Sequence, residues 1–295
     1  MTPRRIVLIG AARSGTKLLR DSLAAATGAG VVPYDIGYVW RIGQEANPHD
    51  ALAPDGLRDR HRRYLQRYVD RHAAGEPPVV IEKTVGNSLR VPLVARALPD
   101  AVFVHLIRDG VDVVESSMRQ WTSPVDLRYL AAKARTFPLR LAPRYGLKYV
   151  SSISGRRLRR DGRVRTWGVR YPGIDADLQS SGLLTVCARQ WRASVTRACE
   201  DLSAEGISVV DIRYERLAED PRAELARLTT LVGLSTSLSR LDVASRSVHA
   251  GRRGVGRDAL SPEQLATVDA EAGDLLVELG YRKAMADDRS SAGEK

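Results

Sequence analysis

A chain of 295 residues with 43% hydrophobic side chains is long enough to bury a sizeable core and too apolar for a disordered tail. Its 2 cysteines, Cys187 and Cys199, show no CxxC spacing and no His/Cys cluster, which excludes a disulfide framework and a structural zinc site and suggests a reducing compartment. Residues 126–170 hold 13 Lys/Arg against 2 Asp/Glu, so the whole net charge of +11 sits in one segment; with 5% aromatics and no zinc-finger or RNA-binding aromatic motif, that pattern suits anion steering better than a nucleic-acid binder.

In chain order, Arg5–Gly10 reads RIVLIG, an unbroken β-branched run stopping at glycine, as a buried parallel strand does. Leu18, Leu19, Leu23 and Ala24 follow at spacings that share one helix face. Apolar runs at Val79–Ile81, Val102–Ile107 and Val209–Ile212 repeat the pattern. Between Ser123 and Leu183 it loosens around Pro124, Pro138, Pro143 and Pro172, and a basic helical insertion or lid is expected there. Within it, residues 168–173 have the composition of an ordered loop. Cys187–Leu202 is helical in spacing, and Asp220-Pro221 opens another helix that ends near Gly233. Strands alternating with helices predict an α/β fold, a parallel sheet flanked by helices with its ligand at the strands' carboxyl ends. One domain is expected over residues 1–285, with a disordered tail at 286–295. The opening MTPRRIVLIG turns polar by Ala12-Arg13-Ser14, without a signal-peptide apolar region, and nothing approaches the roughly 20 apolar residues of a membrane span. A cytoplasmic protein is expected, with at most peripheral contact to anionic lipid.

The sharpest local signal is Gly10-Ala11-Ala12-Arg13-Ser14-Gly15-Thr16-Lys17, placed where the first strand turns into the first helix. Backbone N–H groups and the positive end of a helix dipole make such a turn a phosphate cradle. The spacing is near that of GxxxxGK[ST], but Thr16 and Lys17 stand in transposed order, and the lysine of that motif must reach the β/γ-phosphates while the next hydroxyl meets magnesium. A tight turn that binds nothing is the plain alternative. Further on, VFVHLIRDGVDVVES puts Arg108 at a strand's carboxyl end and Ser116 about two turns into the following helix, where both can hold one phosphate; Ser117 is the neighbouring hydroxyl.

Arg13-Ser14-Gly15-Thr16 followed by Leu18-Leu19 resembles the 5'-phosphosulfate loop of sulfotransferases, in the bacterial and Golgi branch that reads RSGT or RSGS. The resemblance runs in order from Ile6 to Tyr281 and is weakest between Ser123 and Leu183. It implies a P-loop-like nucleotide fold, 3'-phosphoadenosine 5'-phosphosulfate (PAPS) as cosubstrate, and no metal. It implies that Arg13, Ser14, Gly15, Thr16 and Lys17 hold the 5'-phosphosulfate, with Arg13 also serving the chemistry, and that Arg108 and Ser116 hold the 3'-phosphate. Lys83, in Ile81-Glu82-Lys83-Thr84, matches the lysine near the oxygen that bridges sulfur and phosphorus, where an ammonium stabilises the leaving charge. Cytosolic members carry a catalytic histidine two residues later, where this chain has Val85. The RSGT branch tends to use a carboxylate shortly after the first helix, which makes Asp35 the expected general base and Glu82 the second choice. Glu82 neighbours Lys83 on a strand and so points to the other face, as a salt-bridge partner beneath the site. His105 is expected to be a core histidine.

Tyr214, in VVDIRYERL, is left between stacking on adenine and plain packing, and Trp191 is expected to be structural. Gly251-Arg252-Arg253-Gly254 resembles the late basic loop at the 3'-phosphate, with no ground for choosing between Arg252 and Arg253. Leu279-Gly280-Tyr281 resembles the closing motif that packs the terminal helix. The acceptor would be a hydroxyl on a carbohydrate, phenol or other metabolite, with the basic segment suggesting an anionic one. A P-loop kinase or NTPase, and a catalytically idle nucleotide-binding protein, are the rival readings.

Overall fold

The computed structural model describes residues 2–123, 167–248 and 253–283. Five strands form one sheet: β1 (Arg4–Ile9), β2 (Gly30–Val31), β3 (Val79–Lys83), β4 (Val102–Ile107) and β5 (Val209–Arg213). Their spatial order is β2-β3-β1-β4-β5 and every pairing is parallel. Four strands lie where the apolar runs predict them; β2 has two residues, too few for any alternation to show. β3 runs on past Ile81 to include Glu82 and Lys83, which places Lys83 opposite Leu8 of β1.

The helices among the described residues are α1 (Thr16–Thr27), α2 (Gly37–Trp40), α3 (Asp59–Asp70), α4 (Val91–Ala97), α5 (Gly110–Thr122), α6 (Ile174–Ser180), α7 (Leu183–Ala204), α8 (Tyr214–Glu219), α9 (Pro221–Leu231), α10 (Leu238–Ser245), α11 (Val255–Ala259) and α12 (Pro262–Glu278). They cover both sheet faces, as a parallel sheet requires. Val7, Ile9 and Val80 pack with Leu65, Val94 and Leu202 on one face, while Ile6, Leu8 and Ile81 pack with Leu19, Leu23 and Leu228 on the other. The two-residue period of a strand thus divides β1 evenly between two cores, and each large aliphatic buried this way stabilises by about 1.5–3 kcal/mol. A third core joins Val113, Val114 and Trp121 of α5 to Val186 and Trp191 of α7 and to Leu276 of α12. Trp191 is structural as expected, so close under Gly110 that a Cβ there would meet its ring at 2.7 Å.

The expected ordered loop at 168–173 has its physical cause in two anchors. Gln190 donates to the carbonyls of Trp167 and Val169 at 2.8 and 2.9 Å, and Asp50 exchanges backbone and side-chain bonds with Arg170. Most of the expected basic lid, at 124–166, and the expected tail at 286–295 lie outside the described residues.

The chain lays β3 on one side of β1 and then β4 on the other, so strand order reverses at β1. Connections leave in opposite directions there and open a crevice at the carboxyl ends. The loop from Gly10 to Gly15 rises at that point, with Lys83 on one flank and Arg108 on the other.

Candidate active site

Two glycines and a strained arginine shape the loop. Gly15 has φ +99°, and a Cβ there would stand 2.6 Å from the Tyr214 ring. Gly10 approaches β4 so closely that a Cβ would lie 2.7 Å from the Leu106 carbonyl oxygen. Arg13 is, among the described residues, the one non-glycine with positive φ, at 69°. That conformation costs of order 1–2 kcal/mol in an L-residue and persists where surrounding contacts hold it. Ser14 supplies one such contact by donating to the Ala11 carbonyl at 2.7 Å. The loop ends at the amino terminus of α1, whose N-cap Gly15 offers no side-chain acceptor to its first N–H groups.

The Arg13 side chain crosses to α5, where Nε donates to Ser116 Oγ at 2.9 Å and a terminal nitrogen to Gln120 Oε1 at 3.4 Å. Arg108 returns the link by donating to the Arg13 carbonyl at 3.2 Å. Its guanidinium also reaches Asp112 at 3.3 Å and lies 4.1 Å over the Tyr214 ring. The structure therefore brings Arg13, Arg108, Ser116 and Tyr214 together, with Tyr214 packed between Gly15 and Arg108. Ser117 is buried and lines a small cavity with Ala11, Val169 and Trp191.

On the other flank, Lys83 Nζ and Asp35 Oδ1 meet at 2.9 Å. Asp35 stands in the loop after β2, held at both ends. Arg20 of α1 donates to the Val32 and Pro33 carbonyls at 3.1 and 3.0 Å, and Ile36 N–H donates to Thr84 Oγ1 at 3.0 Å. Thr84 in turn donates to Glu82 at 2.6 Å. Glu82 lies fully buried on the opposite face from Lys83, as strand alternation predicts. Its expected ion pair is replaced by hydrogen bonds from Thr84, from Asn87 at 2.9 Å and from Trp40 at 3.2 Å. Burial raises its pKa above the ordinary carboxylate value, with the bonds from Thr84 and Trp40 opposing. Val85 joins the apolar packing of the third core.

Other expected residues stand apart. Lys17 directs its ammonium along α1 to Asp21 at 3.1 Å with a 76% exposed side chain. Arg253 pairs with Glu219 at 3.2 Å on the surface, and Arg252 lies outside the described residues. His105 is a buried sheet residue as expected, with Nδ1 3.4 Å from Asp211, while its Nε2 has no hydrogen-bond partner among the described residues. Tyr281 donates to Glu215, which accepts the Asp109 N–H, so the closing motif is fastened to the start of α5. Sequence reasoning passed over Arg20, Thr84 and Asp112; only Asp112 carried a signal, four residues after Arg108 on one helix face.

Among the described residues no helix is long and apolar enough to cross a membrane, and no three His, Cys, Asp or Glu side chains cluster as a metal site needs. The sulfotransferase family model matches residues 38–135, a stretch that contains Lys83, Arg108 and Ser116 and begins after the loop and Asp35. No curated protein matches the chain. Solved structures similar to it include a sulfotransferase domain from the curacin biosynthetic pathway, at 14% identity over 92% of this chain and 97% of that one, with a TM-score of 0.49. A sulfotransferase from Alicyclobacillus acidocaldarius is 17% identical over 96% and 98%, with a TM-score of 0.48. A mouse sulfotransferase complexed with PAP is 15% identical over 93% and 84%, with a TM-score of 0.46. The family match covers about a third of the chain, and the motif residues Lys83, Arg108 and Ser116 that resemble the sulfotransferase pattern lie within it.

Proposed function

We propose that this chain moves the sulfuryl group of PAPS to a hydroxyl of a small acceptor in a single in-line step. The loop from Arg13 to Thr16 holds the 5'-phosphosulfate, and Arg108 with Ser116 holds the 3'-phosphate; Lys17, turned outward to Asp21, is left out of the expected set. The acceptor oxygen attacks sulfur, the bond from sulfur to the bridging oxygen breaks, and its electron pair stays on 3'-phosphoadenosine 5'-phosphate (PAP). Asp35 takes the acceptor proton, and Lys83 stabilises the charge that gathers on the leaving oxygen. Arg13, whose guanidinium is bonded to Ser116, adds its charge to the 3'-phosphate flank. Sulfuryl transfer of this kind asks for positioning and fixed positive charge more than for covalent help.

The observation that carries this reading is the meeting of Lys83 and Asp35 at 2.9 Å, two residues that sequence reasoning chose separately for the two ends of the reaction. They sit beside the loop at the switch point of the sheet, where a bound phosphosulfate would present its sulfur. Lys17, turned outward to Asp21, lends no support to a Walker-type lysine and hence to a kinase. The acceptor is proposed to be a carbohydrate, phenol or other hydroxyl-bearing metabolite, anionic if residues 126–170 steer it. Those residues lie mostly outside the described ones.

The test is a calorimetric titration of PAP, AMP, ADP and magnesium ATP, followed by transfer from PAPS to a panel of hydroxyl acceptors. Tightest binding of PAP with turnover on any acceptor is the expected result. Preference for magnesium ATP overturns the proposal, and PAP binding without turnover on any acceptor class favours an idle binding protein.

A further inference from the structure

Asp112, which the reaction scheme above does not use, fastens the turn at Gly254–Gly256 to the first turn of α5. Its carboxylate is 2% exposed. Oδ1 accepts the Gly256 N–H at 2.8 Å; Oδ2 accepts the Gly254 N–H at 3.0 Å and an Arg108 N–H at 3.3 Å. A carboxylate this deeply buried is tolerated when its oxygens find donors, and here both oxygens do. The fit leaves no room for slack. A Cβ on Gly256 would stand 2.5 Å from the Val111 carbonyl oxygen, and Gly254 has φ +72°. One turn earlier, Asp109 accepts from Arg257 at 3.1 Å, a second tie between the same two segments.

We infer that Asp112 is a positioning residue for the 3'-phosphate of the donor: its carboxylate sets the Arg108 guanidinium and the glycine turn that carries Arg253 in one fixed geometry. Arg108 is also tied to the reacting end of the site through its bond to the Arg13 carbonyl. Asp112 also holds the late loop. An asparagine at this position would turn an amide N–H₂ against at least one of three donors, freeing either the guanidinium or the turn. The inference rests on the donor reading given above.

The experiment measures affinities of PAP and of AMP, which differ by the 3'-phosphate, for the wild type, Asp112→Asn and Gly256→Ala. Each variant is expected to lose about tenfold or more in PAP affinity, the range for a hydrogen bond to a charged group, while AMP stays within about twofold. The PAP/AMP ratio then collapses. An equal loss for both nucleotides, or an unchanged ratio, overturns the positioning role and leaves Asp112 a fold-holding residue. A wild type that binds PAP no better than AMP overturns the donor reading and the inference with it, so the two failures are told apart by the wild type alone. If Asp112→Asn does not fold, Gly256→Ala decides the matter: it displaces the turn while leaving Asp112 and Arg108 intact, and a retained ratio there overturns the proposal.

Discussion

Arg108 and Lys83 stand at the carboxyl ends of the two strands that flank β1, and they are held in opposite ways. Arg108 is cross-braced by the Arg13 carbonyl, the Asp112 carboxylate and the face of Tyr214. Arg13 is fixed in turn by Ser116. Among the described residues Lys83 has one ion pair, with an Asp35 that is 30% exposed and is positioned through its backbone neighbours. The contrast follows from what each flank would do. Groups that bind an unchanging phosphate gain from being fixed beforehand, because ordering them then costs nothing on binding. A proton acceptor and a leaving-group cation must part and turn to different oxygens, so a single exchangeable contact suits them.

The largest effects separate the flanks by what they damage. Lys83→Ala and Asp35→Asn should each lower kcat by about 10²–10⁴-fold, the range for losing an electrostatic stabiliser or a general base. PAP affinity should stay within about threefold, since neither group is asked to hold the nucleotide. Single-turnover kinetics beside calorimetry checks both numbers. A loss of PAP binding as large as the loss of turnover would break the comparison, because it would make the β3 flank part of the binding frame.

Arg108→Ala should do the reverse, weakening PAP by about 10–100-fold with a much smaller effect on AMP, as expected when a charged hydrogen bond to phosphate is removed. Gly15→Ala tests the same flank through its backbone. The residue would have to hold φ +99° with a Cβ 2.6 Å from the Tyr214 ring, so the loop must shift or Tyr214 must leave Arg108. Thermal unfolding should show a loss of about 1–2 kcal/mol, and PAP affinity should fall with it. A variant with normal stability and normal PAP binding would mean that the ring and the loop are not one unit.

How far the sequence could be read depended on the range of the interaction. β1, β3, β4 and β5 were legible as apolar runs, and the loop from Gly10 to Gly15 as a glycine-flanked turn at a strand end, since each rests on neighbouring residues. β2 was not, because Gly30 and Val31 become a strand only through pairing with Val80 and Ile81. Asp35 and Lys83 were each readable through family resemblance, but their meeting depends on where β2 lies beside β3. The ties of Asp112 to Gly254 and Gly256 join residues 142 and 144 positions apart, and an Arg-Asp pair at i,i+4 was all that local spacing could have shown. Glu82 was read correctly for its face and wrongly for its partner: three neutral donors, none of them charged, satisfy it.

That carboxyl gives the smallest and most specific effect. Burial holds the Glu82 pKa above its ordinary 4.5 in the folded protein. A folded pKa above the unfolded one means that the native state binds the proton more tightly. Stability from this group is therefore fully present below about pH 4.5 and is lost as pH rises through the folded value, at no more than about 1.4 kcal/mol per pH unit. Glu82→Gln carries no such proton. Its melting temperature measured against the wild type from about pH 4 to pH 8 should rise relative to the wild type with increasing pH, whatever constant penalty the amide incurs against Thr84, Asn87 and Trp40. A difference independent of pH would mean that those three donors hold the carboxylate ionised at its ordinary value. The outcome bears on the flank above it, because the Thr84 hydroxyl that donates to Glu82 is the one that accepts the Ile36 N–H beside Asp35. If the pH slope is present and Glu82→Gln also lowers kcat without changing PAP affinity, the looser flank is tuned from below through one hydroxyl. An unchanged kcat would mean that the ion pair with Lys83 is enough to place Asp35.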